Sequence, residues 1–169
     1  MTAKRFTALI VLVAAERVLE LVVSKRNLKW SIAQGGKEFG AGHYPVMVAL
    51  HSALLVGAVA EARRRRSSPI FGRIMVGVVL AAQALRWWCI TTLGRQWNTR
   101  VVVVPRATRV VDGPYRLIPH PNYVAVVTEG VALPLAGGAW LTALVFTVAN
   151  AALLRTRIRV ENEALQGLT

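Results

Sequence analysis

Acidic residues are scarce in this chain: eight Asp and Glu stand against 21 Lys and Arg, a formal net charge of +13. Charge of either sign is thin, at 17% of 169 residues, where an ordinary soluble domain carries about 25%. With 54% apolar residues, the composition argues against a soluble globular domain. There is one cysteine, Cys89, so no internal disulfide can form, and its apolar setting reads as packing rather than nucleophilic chemistry. The three histidines, His43, His51 and His120, sit in separate segments and never at metal-ligand spacing, so no metal site is expected. Gly40-Ala41-Gly42 lacks the strand–turn–helix context of a dinucleotide loop and reads as a hinge or interfacial turn. No internal repeat or low-complexity segment is present, and no cleavable leader is expected. Lys4 and Arg5 precede an apolar run, but Glu16, Arg17 and Glu20 interrupt it before any small-residue cleavage pattern.

What the chain has instead is apolar blocks. Residues 6–23, 44–60, 70–93, 123–136 and 139–154 are the candidate helices. A membrane span needs about 17–25 residues, so the first three pass, the fourth falls short and the fifth is marginal. Pro134, Gly137 and Gly138 mark the join of the last two, read as a helical hairpin whose tip barely crosses a bilayer or stops inside it. The basic residues flank these blocks, which assigns them to lipid headgroups and membrane anchoring rather than to nucleic acid. Five spans put the chain ends on opposite faces. Twelve Lys and Arg then fall on the face holding the 94–120 loop and the tail, against seven on the other, which favours a cytoplasmic position for the first. The run Arg63–Arg66 lies on the second face and works against that bias.

Several residues inside the blocks carry expectations of their own. Glu16 and Glu20 share a helical face and Arg17 lies three before Glu20, which points to an internal ion pair locking this helix to its neighbours, or to a substrate contact. His51 is expected in an interhelical hydrogen bond, although His43 and His51 can both be drawn facing a cleft. Arg86-Trp87-Trp88 has the composition of a membrane-interface belt. Residues 24–43 read as a polar connector. Val101–Val104 and Val110–Val111, broken by Pro105 and closed by Asp112-Gly113-Pro114, are the one stretch of strand character and suggest a small flap.

Polar chemistry gathers in two knots. Gly113-Pro114-Tyr115-Arg116-Leu117-Ile118-Pro119-His120-Pro121-Asn122-Tyr123 is stiffened by three prolines that withhold N–H donors. His120, held between Pro119 and Pro121, is driven out of the helical region, where a neutral imidazole can take a proton or hold a ligand. Tyr115 and Tyr123 offer rings and hydroxyls. The second knot is Arg157-Ile158-Arg159-Val160-Glu161-Asn162-Glu163, in which Arg157 and Glu161 share a helical face just beyond the last apolar block. An exposed pair of this kind is worth less than ~1 kcal/mol. In a sheltered pocket the same two groups can bind a charged cofactor: the carboxylate accepts from hydroxyl or ammonium groups, and the guanidinium grips a carboxylate.

At these residues the chain resembles the isoprenylcysteine carboxyl methyltransferase family. The likeness rests on Gly113-Pro114-Tyr115-Arg116, His120-Pro121-Asn122-Tyr123, the helical hairpin, and Arg157-Ile158-Arg159-Val160-Glu161-Asn162-Glu163-Ala164-Leu165, and is strongest over residues 86–166. The N-terminal half looks like the short bacterial members, some of which are thought to methylate hydroxyls of alkylpyrone or alkylresorcinol lipids. The resemblance implies an integral membrane enzyme that uses S-adenosylmethionine without a Rossmann domain. It implies that Tyr115, His120, Pro121, Tyr123 and Glu161 line the cofactor pocket, and that Arg157, Glu161 and His120 serve the reaction. Two positions depart from the family pattern. Pro119 stands where an arginine often precedes the His-Pro pair, and Asn162 stands where adjacent glutamates are usual. The first weakens the grip on a substrate carboxylate and favours a hydroxyl acceptor.

The expectation is therefore a single all-α integral membrane domain over 1–169. About five transmembrane helices are expected, 1–92 holding the N-terminal ones and 93–169 the cofactor loop, hairpin and C-terminal helix. The expected partners are membrane lipids and a lipophilic acceptor entering from the bilayer. The expected location is the bacterial inner membrane, with the site facing the cytoplasm. A small transporter or lipid-binding scaffold is the alternative; it calls for polar residues along the bundle midplane and a weak internal repeat, whereas the polar groups gather at one end.

Overall fold

The structure is a computed structural model that describes residues 2–65, 67–105 and 107–166. Arg66 and Arg106, both counted in the charge bias above, lie outside the described residues. Five α-helices run in chain order: α1 Ala3–Ala33, α2 His43–Ala62, α3 Pro69–Leu93, α4 Pro121–Gly137 and α5 Trp140–Gln166. Short 3-10 turns cover Gly94–Gln96 and Gly113–Arg116. Two three-residue strands, β1 Lys37–Phe39 and β2 Val101–Val103, pair antiparallel with Lys37 opposite Val103. Among the described residues, regular structure is thus helical apart from one miniature sheet. Val101–Val103 does form a strand, but its partner is the connector after α1, and Val110–Val111 is irregular.

Helix starts follow local chemistry. Thr2 caps α1 by accepting from the Arg5 amide at 3.4 Å, and Pro69 and Pro121 open α3 and α4, where a missing N–H costs nothing. Ala139 has no side chain to cap α5, so Glu61 at the end of α2 supplies one. Its carboxylate accepts from the amides of Leu141 (3.1 Å) and Thr142 (2.8 Å) and from the Thr142 hydroxyl (2.9 Å). The α4–α5 join is Gly138-Ala139, with Gly138 at φ 83° directly after Gly137 closes α4, while Pro134 lies inside α4 and not at the join. α1 runs ten residues past the expected apolar block, so the connector shrinks to residues 34–42.

Helices consecutive in the chain run in opposite directions. Glu61 at the end of α2 meets the start of α5, and Met47 at the start of α2 meets Arg157 near its end. Asn27, late in α1, donates to Gly94 at the end of α3. One end of the bundle therefore holds the sheet, the 94–120 loop and the end of α5. The other end holds the main apolar core: Phe6, Ile10, Val13, Ala58, Val79, Leu133 and Ala136. Small residues let α4 sink into the middle. A Cβ on Gly130 would stand 2.1 Å from the Phe146 ring, and one on Gly137 2.6 Å from Phe6.

The outer surface is apolar: Val11, Leu12, Leu80, Leu144 and Val148 are all more than half exposed. A surface of this kind is stable in a bilayer and costly in water. Among the described residues, α2, α3 and α5 are long and apolar enough to cross a membrane. α5, marginal by its apolar block, therefore qualifies. α1 does not meet the same test because Glu16, Arg17 and Glu20 break it. α4, with 17 residues rising about 1.5 Å each, spans about 25 Å, short of a ~30 Å hydrocarbon core. The protein is a helical membrane protein with three such helices.

Candidate active site

The two polar knots meet. His120 caps α4 at φ −131°, ψ 62°, outside the helical region as its flanking prolines demand. From there its ring lies 5.5 Å from the Tyr123 ring, tilted by 32°. Glu161, on the last turns of α5, accepts a 2.6 Å hydrogen bond from the Tyr123 hydroxyl and lies 3.8 Å from His120 Nδ1. Asn162 Oδ1 stands 3.3 Å from His120 Nε2. One turn below Glu161, Arg157 is 6% exposed. Its Nη2 donates to the Thr99 carbonyl at 2.8 Å, its Nη1 rests 3.4 Å from Met47 Sδ, and it faces the Tyr123 phenol. Its Nε is buried without a partner, as is Asn122 Oδ1.

Tyr115 sits in the 3-10 turn that precedes this group and lies against the Cys89 thiol. Burial, with Cys89 beside it, pushes its phenol well above the usual range, so it stays a neutral donor. Cys89 itself is fully buried, as packing requires. The fold thus brings together all six candidates: Tyr115, His120, Pro121, Tyr123, Arg157 and Glu161. It adds Thr99 and Met47, which only tertiary packing could place beside Arg157. His120 and Glu161 remain partly open, at 22% and 31% of their side chains.

A second polar group lies at mid-helix, where one-ended polarity was expected. Arg17 pairs with Glu20 and Glu129, and its guanidinium also donates to Gln83 at 3.2 Å. Arg86 donates to Glu129 at 2.8 Å and lies 3.5 Å from Glu20. Glu20, Arg86 and Glu129 are each 6% exposed or less. The internal ion-pair reading of Arg17 and Glu20 holds, with Glu16 instead accepting from Trp87 Nε1 at 2.6 Å. Arg86 is not part of an interfacial belt: Trp87 and Trp88 face outward while Arg86 points into the bundle. His51 bonds within its own helix, to Met47 O at 2.9 Å, and not across to another. Glu129 was missed; a lone carboxylate in an apolar block is the signal that marks it.

Residues 75–167 match the profile of the isoprenylcysteine carboxyl methyltransferase (ICMT) family. The chain belongs to that family. It is 36% identical over 162 residues to YpbQ, an uncharacterized protein of Bacillus subtilis (strain 168), covering 95% of this chain and 96% of that one. It is 26% identical over 158 residues to an uncharacterized protein of Haemophilus influenzae, covering 92% of each. No solved structure matches the chain. Membership in the isoprenylcysteine carboxyl methyltransferase family places it among membrane methyltransferases. The matched stretch contains the whole His120–Glu161–Arg157 group.

Proposed function

We propose that the protein is an S-adenosylmethionine-dependent O-methyltransferase acting on a lipid-tailed acceptor. The observation that carries this reading is the convergence of Tyr123 and His120 on the partly open Glu161 carboxylate, above a buried arginine with an unpartnered Nε. The donor set fits the cofactor. Glu161 suits hydroxyl or ammonium donors, His120 and Pro121 form a stiff wall, and the tyrosines offer rings and neutral hydroxyls. When bound, the sulfonium donor supplies an electrophilic methyl group that an acceptor oxygen takes in a single displacement.

The chain's own contribution is then positioning and proton handling. Arg157, braced by the Thr99 carbonyl, holds the acceptor's oxygen in line. A carboxylate acceptor needs no base, as in an isoprenylcysteine-type substrate. A hydroxyl acceptor, as in an alkylpyrone or alkylresorcinol lipid, gives its proton to His120 or Glu161. The lipid tail enters from the bilayer between apolar helices and the polar cofactor through the 94–120 loop. In this reading all five helices cross or enter the bilayer of a bacterial inner membrane, residues 1–92 form the scaffold, 93–169 form the site, and the site faces the cytoplasm.

The transporter or scaffold alternative gains one observation, the mid-helix charges. Those charges are paired with one another across α1, α3 and α4, so they form a clasp and not a path. The test is methyl transfer from tritiated S-adenosylmethionine to a farnesylcysteine-type acid and to an alkylresorcinol, using protein in lipid nanodiscs. Label in a base-labile ester identifies the acid, and label in a base-stable ether identifies the hydroxyl. Glu161→Gln is expected to lower either rate by about 100-fold. Transfer to neither acceptor would count against the reading.

A further inference from the structure

A cavity on α1 lies apart from the His120–Glu161 group. It measures about 370 Å³ and is lined by Val23, Arg26, Asn27, Trp30 and Arg95. The first four fall at i, i+3, i+4 and i+7 on α1, a single helical stripe. Arg95 comes from the 3-10 turn after α3. Asn27 assembles the two parts: its Nδ2 donates to the carbonyls of Gly94 (3.0 Å) and Trp97 (2.7 Å), pinning that turn against α1. Both amide hydrogens are thereby used, and Oδ1 is left as an acceptor.

Arg26 and Arg95 are exposed, and neither has an ion-pair or hydrogen-bond partner among the described residues. No carboxylate lines the cavity. Two guanidiniums that share a cavity repel each other until an anion lies between them, and their forks match phosphate oxygens. Trp30 gives the site the indole typical of the headgroup level, and Val23 lies one further turn toward the apolar middle of the bundle. We infer that this cavity binds the phosphate of an anionic phospholipid whose headgroup carries a hydroxyl. The guanidiniums take the phosphate, Asn27 Oδ1 accepts from the headgroup hydroxyl, and the acyl chains run past Val23.

The test uses the full chain in neutral detergent. Thermal unfolding is followed with short-chain phosphatidylglycerol, with phosphatidylcholine of the same chain length, and with inorganic phosphate. Arg26→Gln/Arg95→Gln is compared with Arg155→Gln/Arg159→Gln, which removes the same charge from exposed positions at the same end of the bundle. Phosphatidylglycerol is expected to raise the wild-type midpoint by a few degrees while phosphatidylcholine does not. The Arg26/Arg95 variant should lose the rise and the control variant keep it. Equal rises in both variants, or with both lipids, would overturn the site. A full rise with inorganic phosphate alone would reassign it to a soluble phosphate and overturn the lipid assignment.

Discussion

At the scale of single residues, Arg157 is the group whose surroundings say most. It is buried at a helix end, braced by a backbone carbonyl and a thioether, and still has an unpartnered nitrogen. A lysine keeps the charge but cannot hold the Thr99 carbonyl and an acceptor oxygen together. Arg157→Lys should therefore lower methyl transfer by about 100-fold in the tritium assay while leaving the unfolding midpoint nearly unchanged. Activity near wild type would show that charge alone is needed. Much of this site was legible in advance. The prolines around His120 and the four-residue step from Arg157 to Glu161 are local patterns that dictate backbone and face. Thr99 and Met47 were not legible, because they reach Arg157 from elements 58 and 110 residues away. Gly130 belongs at this scale too. Its Cβ would meet Phe146 at 2.1 Å, so Gly130→Ala should cost about 1–3 kcal/mol in detergent unfolding. Phe146→Leu should recover part of that loss; no recovery would mean the strain lies elsewhere.

At the scale of elements, the clasp explains how helices with charged interiors coexist with lipid. Arg17, Glu20, Gln83, Arg86 and Glu129 join α1, α3 and α4 through a group with no net charge. Removing one partner strands the others. Glu129→Leu leaves the buried Arg86 and the partly buried Arg17 short of a counter-charge and should cost about 3–5 kcal/mol, with Glu129→Gln milder because it still accepts a hydrogen bond. Urea or thermal unfolding in one detergent orders the three proteins; equal stability would contradict the clasp. Half of it was visible in sequence as the Arg17–Glu20 spacing. The other half was hidden, because Arg86 sits beside two tryptophans that face the other way. The β1–β2 pair was likewise invisible, since Lys37 and Val103 have no local feature that selects each other.

At the scale of the molecule, five helices alternating in direction put Thr2 at the end opposite the His120–Glu161 group. The apolar core fills that first end, the clasp the middle, and the site the other. Cysteines introduced at Thr2 and at Asn162 should therefore label from opposite sides of sealed vesicles with a membrane-impermeant maleimide. Cys89, fully buried, should stay silent. Labelling of both positions from one side would break the topology.

The central claim is that the meeting of α4 and α5 forms a cofactor pocket. It is tested most directly by calorimetric binding of S-adenosylhomocysteine to the detergent-purified protein, with His120→Ala and Glu161→Ala alongside. The account predicts micromolar binding to the wild type and loss of at least tenfold, about 1.4 kcal/mol, in each variant. A well-folded wild type that does not bind, or variants that bind as tightly as wild type, would contradict it.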